Sequence, residues 1–334
     1  MGKKIFITGG AGYCGSKLVP MLLETGHQVT VYDILYFGSD FLPLKNSNLK
    51  LIQGDIRDAE KIENFSQGHD VFISLACISN DSSFILDEEL STSVNLNAFE
   101  PMVLAAKKAK IKRFIYASSS SVYGVSEKKN VKEDHPLVPL TLYNKYKGMC
   151  EPLLLKHTSD NFEGVIFRPA TVCGYAPRLR LDLSVNILTN HAISNNKITV
   201  FGGEQLRPNL HVQDYCEAIL CLINAPIEKV RNQIFNVGYQ NLSIKEIALI
   251  VKKIVENNFP EKGNIEIVTT TSDDNRSYHI NSDKIKEILN FVPKLKIEDA
   301  VQDLCNNFKL GNVLNSLGDD KYYNVKRLQK INAR

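Results

Sequence analysis

Short apolar runs and stretches of helical spacing alternate along the first half of the chain. Ile5-Phe6-Ile7 follows two lysines and is β-branched and aromatic, which is how a strand buried on both faces looks. Ser16 to Glu24 then carries Leu18, Leu22 and Leu23 at helical spacing. Val29-Thr30-Val31-Tyr32-Asp33 reads as a second strand, and Leu49-Lys50-Leu51-Ile52 as a third that runs into a polar turn at Gln53-Gly54-Asp55-Ile56. Asp70 to Cys77 reads as a fourth strand and Arg113 to Ala117 as a fifth, with a helix expected between them from about Leu90 to Lys110. Val94, Met102, Val103 and Ala106 are among the apolar positions of that helix. After a polar loop from Ser126 to Pro139, helical periodicity resumes at Tyr143 and lasts to about His157. Strands and helices alternating at this spacing predict an α/β fold, a doubly wound parallel sheet with right-handed crossovers. Ligands of such sheets gather at the carboxyl ends of the strands.

Between the first strand and the first helix lie Gly9, Gly12 and Gly15. Glycines there remove side chains where backbone must approach a pyrophosphate, and a helix start supplies free N–H groups and a positive dipole end. A three-glycine spacing alone also fits a tight structural turn. Here the second strand ends in Asp33, at the distance of about 20 residues that a dinucleotide-binding fingerprint requires. A carboxylate at that point accepts from the adenosine ribose hydroxyls and repels a 2′-phosphate, which favours NAD over NADP. Asp55 and Ile56, at the end of the third strand, are placed to contact the adenine from the side, and Asp55 alternatively caps the helix that begins near Asp58. Ala76 and Cys77 offer small side chains for close cofactor approach. Tyr13 and Cys14 within the turn, and Leu75 beside Ala76, complete the expected contacts.

The chain has 334 residues, enough for one large α/β domain or two smaller ones. Forty basic against 37 acidic residues leave a net charge of +3, too balanced for a nucleic-acid or membrane-surface protein. No run approaches the roughly 18 apolar residues of a spanning helix, and the N-terminus reads as a strand rather than a signal peptide. The seven cysteines are scattered without a CxxC pair. That pattern points to a reduced, cytoplasmic setting rather than to disulfides or zinc. The seven histidines show no metal-ligand spacing, so no metal is expected.

Tyr143 and Lys147 are four residues apart and share a helical face, which brings an ammonium close to a phenol. A nearby positive charge favours the phenolate and lowers the tyrosine pKa. A solvated face is the ordinary reading of such a pair. The serine cluster Ser118 to Ser121 at the end of the fifth strand, followed by Val122-Tyr123-Gly124, turns the reading toward catalysis.

TGGAGYCG at 8–15, Asp33, Asp55-Ile56, SSSSVYG at 118–124 and YNKYK at 143–147 resemble the extended short-chain dehydrogenase/reductase family. The likeness is to its NAD-dependent nucleotide-sugar epimerase/dehydratase branch. FRPATVCG at 167–174, LRPNLHVQD at 206–214, FNVG at 235–238 and NRSYHI at 275–280 extend it through most of the chain. The resemblance implies a Rossmann-type sheet over residues 1–170, with 210–245 returning to it. It also implies a smaller C-terminal α/β unit of residues 171–209 and 246–311 for a nucleotide-diphosphate sugar. It makes Tyr143 the general acid/base, Lys147 its partner and a holder of the nicotinamide ribose, and Ser119 the catalytic serine. Ser120 and Ser121 would lie at the sugar, Asn95 and Ser118 near the cofactor, and Asn186, Arg207 and Arg276 at the nucleotide diphosphate, where an arginine fork suits phosphate oxygens.

Two departures from the family pattern matter. Relatives that dehydrate sugars carry an acidic pair before VYG, as in TDEVYG, where this chain has Ser120 and Ser121, so the acid and base of an elimination are missing. Cys173 stands where tyrosine is common, either as an additional acid/base or as a packed cysteine. The expected activity is epimerisation through transient oxidation at sugar C4, in polysaccharide biosynthesis. The alternatives are a C4 dehydrogenase that releases the ketosugar, and a non-catalytic NAD-binding sensor. The resemblance further implies a homodimer joined by the helices after Leu90 and from Tyr143. The tail from 312 to 334 reads equally as a packed extension or a disordered arm.

Overall fold

The computed structural model describes residues 2–79, 87–126, 128, 130–271, 277 and 279–334. Its centre is a seven-stranded parallel sheet. The strands are β1 (Lys4–Thr8), β2 (Gln28–Asp33), β3 (Leu49–Gln53), β4 (Val71–Ser74), β5 (Arg113–Ala117), β6 (Glu163–Pro169) and, after three shorter strands, β10 (Gln233–Val237). They lie in the order β10-β6-β5-β4-β1-β2-β3. Chain order reverses at β1, which sits between β4 and β2, and the crevice outside the carboxyl ends of β1 and β4 is where such a sheet binds its ligand.

β1 explains why the sheet is covered on both faces. Ile5 and Ile7 point into one core with Leu18, Leu22 and Val31, while Phe6 points into the other with Phe72, Phe99 and Phe114. Across the second face Phe6 meets Phe72 at 5.1 Å between ring centroids, and Phe72 stacks on Phe114 at 4.7 Å. Helices α1 (Tyr13–Glu24) and Val212–Asn224 cover the first face; α2 (Ala59–Ser66), α3 (Phe99–Lys108) and α4 (Leu142–Leu155) cover the second. An all-apolar strand with alternating sides is the expected answer to a sheet buried twice over.

The expected helix from Leu90 to Lys110 is broken. Glu88–Thr92 is α-helical, Ser93–Asn97 opens into a π-turn, and α3 then completes the run. The wide turn swings Asn95 inward, where its amide accepts from Ile78 N–H and donates to Ile78 C=O, both at 2.8 Å. π-bulges of this kind concentrate at functional sites. α1 also begins three residues earlier than its apolar spacing indicates, because the glycine turn feeds directly into it.

Beyond the main sheet, β7 (Thr171–Cys173), β9 (Leu206–His211) and β11 (Gln240–Ser243) form a small sheet, and β8 (Lys197–Phe201) pairs with β12 (Glu266–Thr270). Helices Ser184–Asn195, Ile244–Asn258 and Ile297–Lys309 close a separate apolar core around Val185, Ile247, Val251 and Val301. The tail packs: Val313 and Tyr322 join a cluster with Leu179, Leu181 and Val212, and the helix α5 (Asn324–Lys330) lies against the cofactor side of the sheet. Among the described residues no helix is long and apolar enough to cross a membrane.

Candidate active site

One cavity of about 540 Å³ opens at the carboxyl ends of β1 and β4. The glycine turn forms its floor. Gly9 has φ +76°, and a Cβ there would lie 2.5 Å from the Ala76 nitrogen, so only glycine fits. A Cβ at Gly15 would lie 2.4 Å from the Gly10 carbonyl oxygen, which lets the turn and helix close on each other. Gly12 differs: a Cβ there would meet only the Gly9 oxygen, at 3.2 Å. The space Gly12 leaves free belongs to the cavity. Gly12 is also the N-cap of α1 and offers no side chain, so the first-turn N–H groups remain for a ligand.

Asp33 is fixed from below. Its carboxylate accepts from Ala11 N–H at 2.9 Å and Leu35 N–H at 2.8 Å, tying the end of β2 to the glycine turn. Burial pushes its pKa up, and the two N–H bonds oppose that shift. Asp55 lines the cavity and holds the Arg57 guanidinium, while the cap of α2 is Asp58, whose side chain accepts from Lys61 N–H. Ile56, Leu75, Ala76 and Cys77 complete this end.

The chemical end is built by β5 and α4. Ser119 stands two residues past the end of β5 and caps a short 3₁₀ turn, Ser120–Tyr123. Its hydroxyl lies 2.7 Å from that of Ser121, and Ser121 donates to the Asn144 side-chain oxygen at 2.5 Å. Thr141 caps α4 and so presents Tyr143 in the first turn and Lys147 one turn below it. Lys147 is buried, donates to Ala117 C=O at 2.8 Å and stands 6.0 Å from the centroid of the Tyr143 ring. Tyr143, Lys147, Ser118, Ser119 and Ser121 all face the cavity together with the glycine turn. Arg207, on β9 of the small sheet, lines the same cavity.

Three expected site residues stand elsewhere. Asn95 is spent on Ile78 and does not line the cavity. Asn186 is fully buried; it accepts from Gly174 N–H at 2.9 Å and donates to Arg180 C=O at 2.8 Å, shaping the loop after β7 rather than reaching a ligand. Ser120 turns into the interior. Arg276 lies outside the described residues. Tyr13 lines the cavity, yet its hydroxyl donates to Gly174 C=O at 2.6 Å and is committed to that same loop. Cys173 is the packed cysteine: its thiol faces Leu210 C=O, burial pushes its pKa up, and it lies off the cavity.

The model of the NAD dependent epimerase/dehydratase family matches residues 5–238. The chain belongs to this family. Its members among known proteins carry different reactions. The low-salt glycan biosynthesis protein Agl12 of Haloferax volcanii is 28% identical over 314 residues, spanning 92% of this chain and 98% of the relative. A UDP-glucose 4-epimerase of Lactobacillus helveticus is 26% identical over 322 residues, spanning 89% of this chain and 94% of its own. The dTDP-glucose 4,6-dehydratase DesIV of Streptomyces venezuelae, solved with NAD, superposes with a TM-score of 0.81 at 20% identity, over 92% of this chain and 97% of that one. NAD is the cofactor of this epimerase/dehydratase family, and the open space at Gly12, the free helix start and the held carboxylate of Asp33 fit it.

Behind the site runs a buried polar chain that sequence reasoning missed. Ser118 donates to Glu151 at 2.5 Å, and Glu151 holds the Arg168 guanidinium by two bonds of 2.9 and 2.6 Å. Arg168 donates to the Tyr123 hydroxyl at 2.6 Å, which donates on to Asn236 at 2.7 Å. One signal was available. Glu151 stands one turn beyond Lys147 on the inward stripe of α4, where a charge needs a partner.

Proposed function

We propose that the protein is an NAD-dependent nucleotide-sugar epimerase acting through transient oxidation at sugar C4. The observation that carries this reading is the make-up of the cavity wall. Ser119, Tyr143 and Lys147 meet around one space with the cofactor floor, and among the described residues its carboxylates are Asp33, Asp55 and Asp182. Each of these is engaged: Asp33 by two backbone N–H groups, Asp55 by Arg57, and Asp182 by Arg180 and the Asn324 N–H. Elimination of water needs its own acid and base, and the positions before VYG hold only serine hydroxyls.

Bound NAD supplies a hydride acceptor and donor. Tyr143 takes the proton of the C4 hydroxyl, with the Lys147 ammonium favouring its phenolate. Ser119 hydrogen-bonds the same oxygen and steadies it as the carbonyl forms. Its contact with Ser121, and through it Asn144, orients that hydroxyl. Arg207 holds the diphosphate of the substrate from the opposite wall, with Arg276 assigned the same task. After rotation of the ketosugar, Tyr143 returns the proton to the oxygen on the inverted centre.

A panel of UDP-, GDP-, CDP- and dTDP-sugars, followed by NMR and absorbance at 340 nm without added NAD, tests the reading. An inverted sugar without lasting NADH is expected. A ketosugar formed once per bound cofactor, with NADH accumulating, would instead make the protein a C4 dehydrogenase. No reduction of bound NAD by any sugar would favour a sensor.

We further propose a homodimer joined through α3 and α4, which lie side by side. Leu104 of α3 and Met149 of α4 expose 39% and 42% of their surface, apolar side chains that such an interface would cover. Light scattering is expected to give a dimer mass for the wild type and a monomer mass for the double variant Leu104→Glu/Met149→Glu. A monomeric wild type at micromolar concentration would overturn the assignment.

A further inference from the structure

The tail is built into the cofactor cleft. Asn324 and Leu328 of α5 line the cavity together with the glycine turn. The segment is pinned at both ends: Asn324 N–H donates to Asp182 at 2.9 Å and its side chain to Ser79 at 2.9 Å, while the Tyr36 hydroxyl and Arg57 both donate to the Arg334 carbonyl oxygen, at 2.8 and 2.9 Å. Leu328 packs against Ile78 and Tyr36, in the loops beyond β4 and β2, and against Leu90 of the short helix Glu88–Thr92. These contacts join the tail to the segments that follow β2, β3, β4 and β7.

Arg178 gives the arrangement its chemistry. Its guanidinium lies 3.7 Å from the centroid of the Phe37 ring and donates to the Asn324 side-chain oxygen at 2.6 Å. Its backbone N–H donates to the Ser16 hydroxyl in the first turn of α1, so the residue stands beside the helix start where a diphosphate is received. It is 5% exposed, its Nε has no partner, and among the described residues it makes no ion pair. Arg180, 8% exposed, adds a second guanidinium to the same wall, with Nη2 unpartnered and one carboxylate, Asp182, for its charge. Besides Asp182, the Asp33 carboxylate acts on Arg178, but Asp33 is already held by two backbone N–H groups, so Nε of Arg178 and Nη2 of Arg180 are donors left for an incoming anion. The electrostatics agree. Burial, and then the charge of Arg180, pull the Arg178 pKa down to about 9.

We propose that Arg178, held by Asn324 of the C-terminal helix, binds the NAD diphosphate beside the start of α1, so that the tail clasps NAD in place through turnover. The diphosphate gives the unpartnered nitrogens of Arg178 and Arg180 their acceptors, and Leu328 keeps water from the covered side. This rests on NAD as the cofactor and not on which sugar reaction follows.

The test is the rate at which isotope-labelled NAD leaves the full-length protein into excess unlabelled NAD, read by rapid gel filtration. Asn324→Ala and Arg178→Lys, which keeps the charge and loses the fork, are each expected to speed release about tenfold, the worth of one charge-assisted hydrogen bond. Deletion of residues 324–334 is expected to speed it further. Leu314→Ser, on the exposed part of the same tail, is expected to change nothing. Circular dichroism and thermal unfolding separate loss of fold from loss of the clasp. Release unchanged in folded Asn324→Ala and Arg178→Lys would overturn the proposal, as would slower release, which would make the tail an obstacle to the cofactor.

Discussion

Tyr143→Phe is expected to lower turnover by about 10²- to 10⁴-fold, the usual worth of a positioned general acid/base, while the protein keeps its NAD. The phenol hydroxyl is the only atom removed. The ring in the first turn of α4 stays, and so does Lys147, whose Nζ is anchored on Ala117 C=O. Cofactor content, measured on released nucleotide, is therefore expected to match the wild type. Turnover within tenfold of the wild type would remove Tyr143 from the mechanism. Loss of NAD together with loss of turnover would assign the residue to binding instead.

Glu151→Ala is expected to destabilise the fold by about 3–5 kcal/mol, because it leaves an unpaired guanidinium in the interior. Glu151 and Arg168 have side chains 4% and 3% exposed, and the two bonds between them are the main compensation for burying either charge. Ser118 also loses its acceptor, so the serine turn that carries Ser119 loosens. The double variant Glu151→Leu/Arg168→Met is expected to regain much of the loss, since apolar side chains of similar volume often replace a buried pair at little cost. Urea unfolding of the wild type, both single variants and the double variant closes the cycle. Additive effects would show that the two residues do not act as a pair.

Much of the nucleotide half was legible because its signals are local. β1 is an apolar run, the glycine turn follows at once, and Asp33 ends the next apolar run; each is fixed by neighbours a few residues away. Tyr143 and Lys147 share a face by helical geometry alone. The helix after Leu90 departs from its pattern for the complementary reason. Its periodicity continues through Ser93–Asn97, but the amide of Asn95 meets the backbone of Ile78, a contact that no spacing along the helix reveals.

The sequence by itself determined the parallel sheet, the dinucleotide turn, the choice of carboxylate at β2 and the serine–tyrosine–lysine set, because each rests on periodicity or short-range chemistry. Only the tertiary structure decided which polar side chains face the ligand and which are consumed in holding the frame. Asn186 and Asn95 went to the frame, Arg178 and Arg180 to the cavity, Glu151 to Arg168, and the tail to the cleft. A buried amide or guanidinium must find its hydrogen bonds wherever the fold brings partners. Those partners stand 17 residues away for Asn95 and Ile78 but 146 for Arg178 and Asn324, a separation across which sequence pattern carries no information.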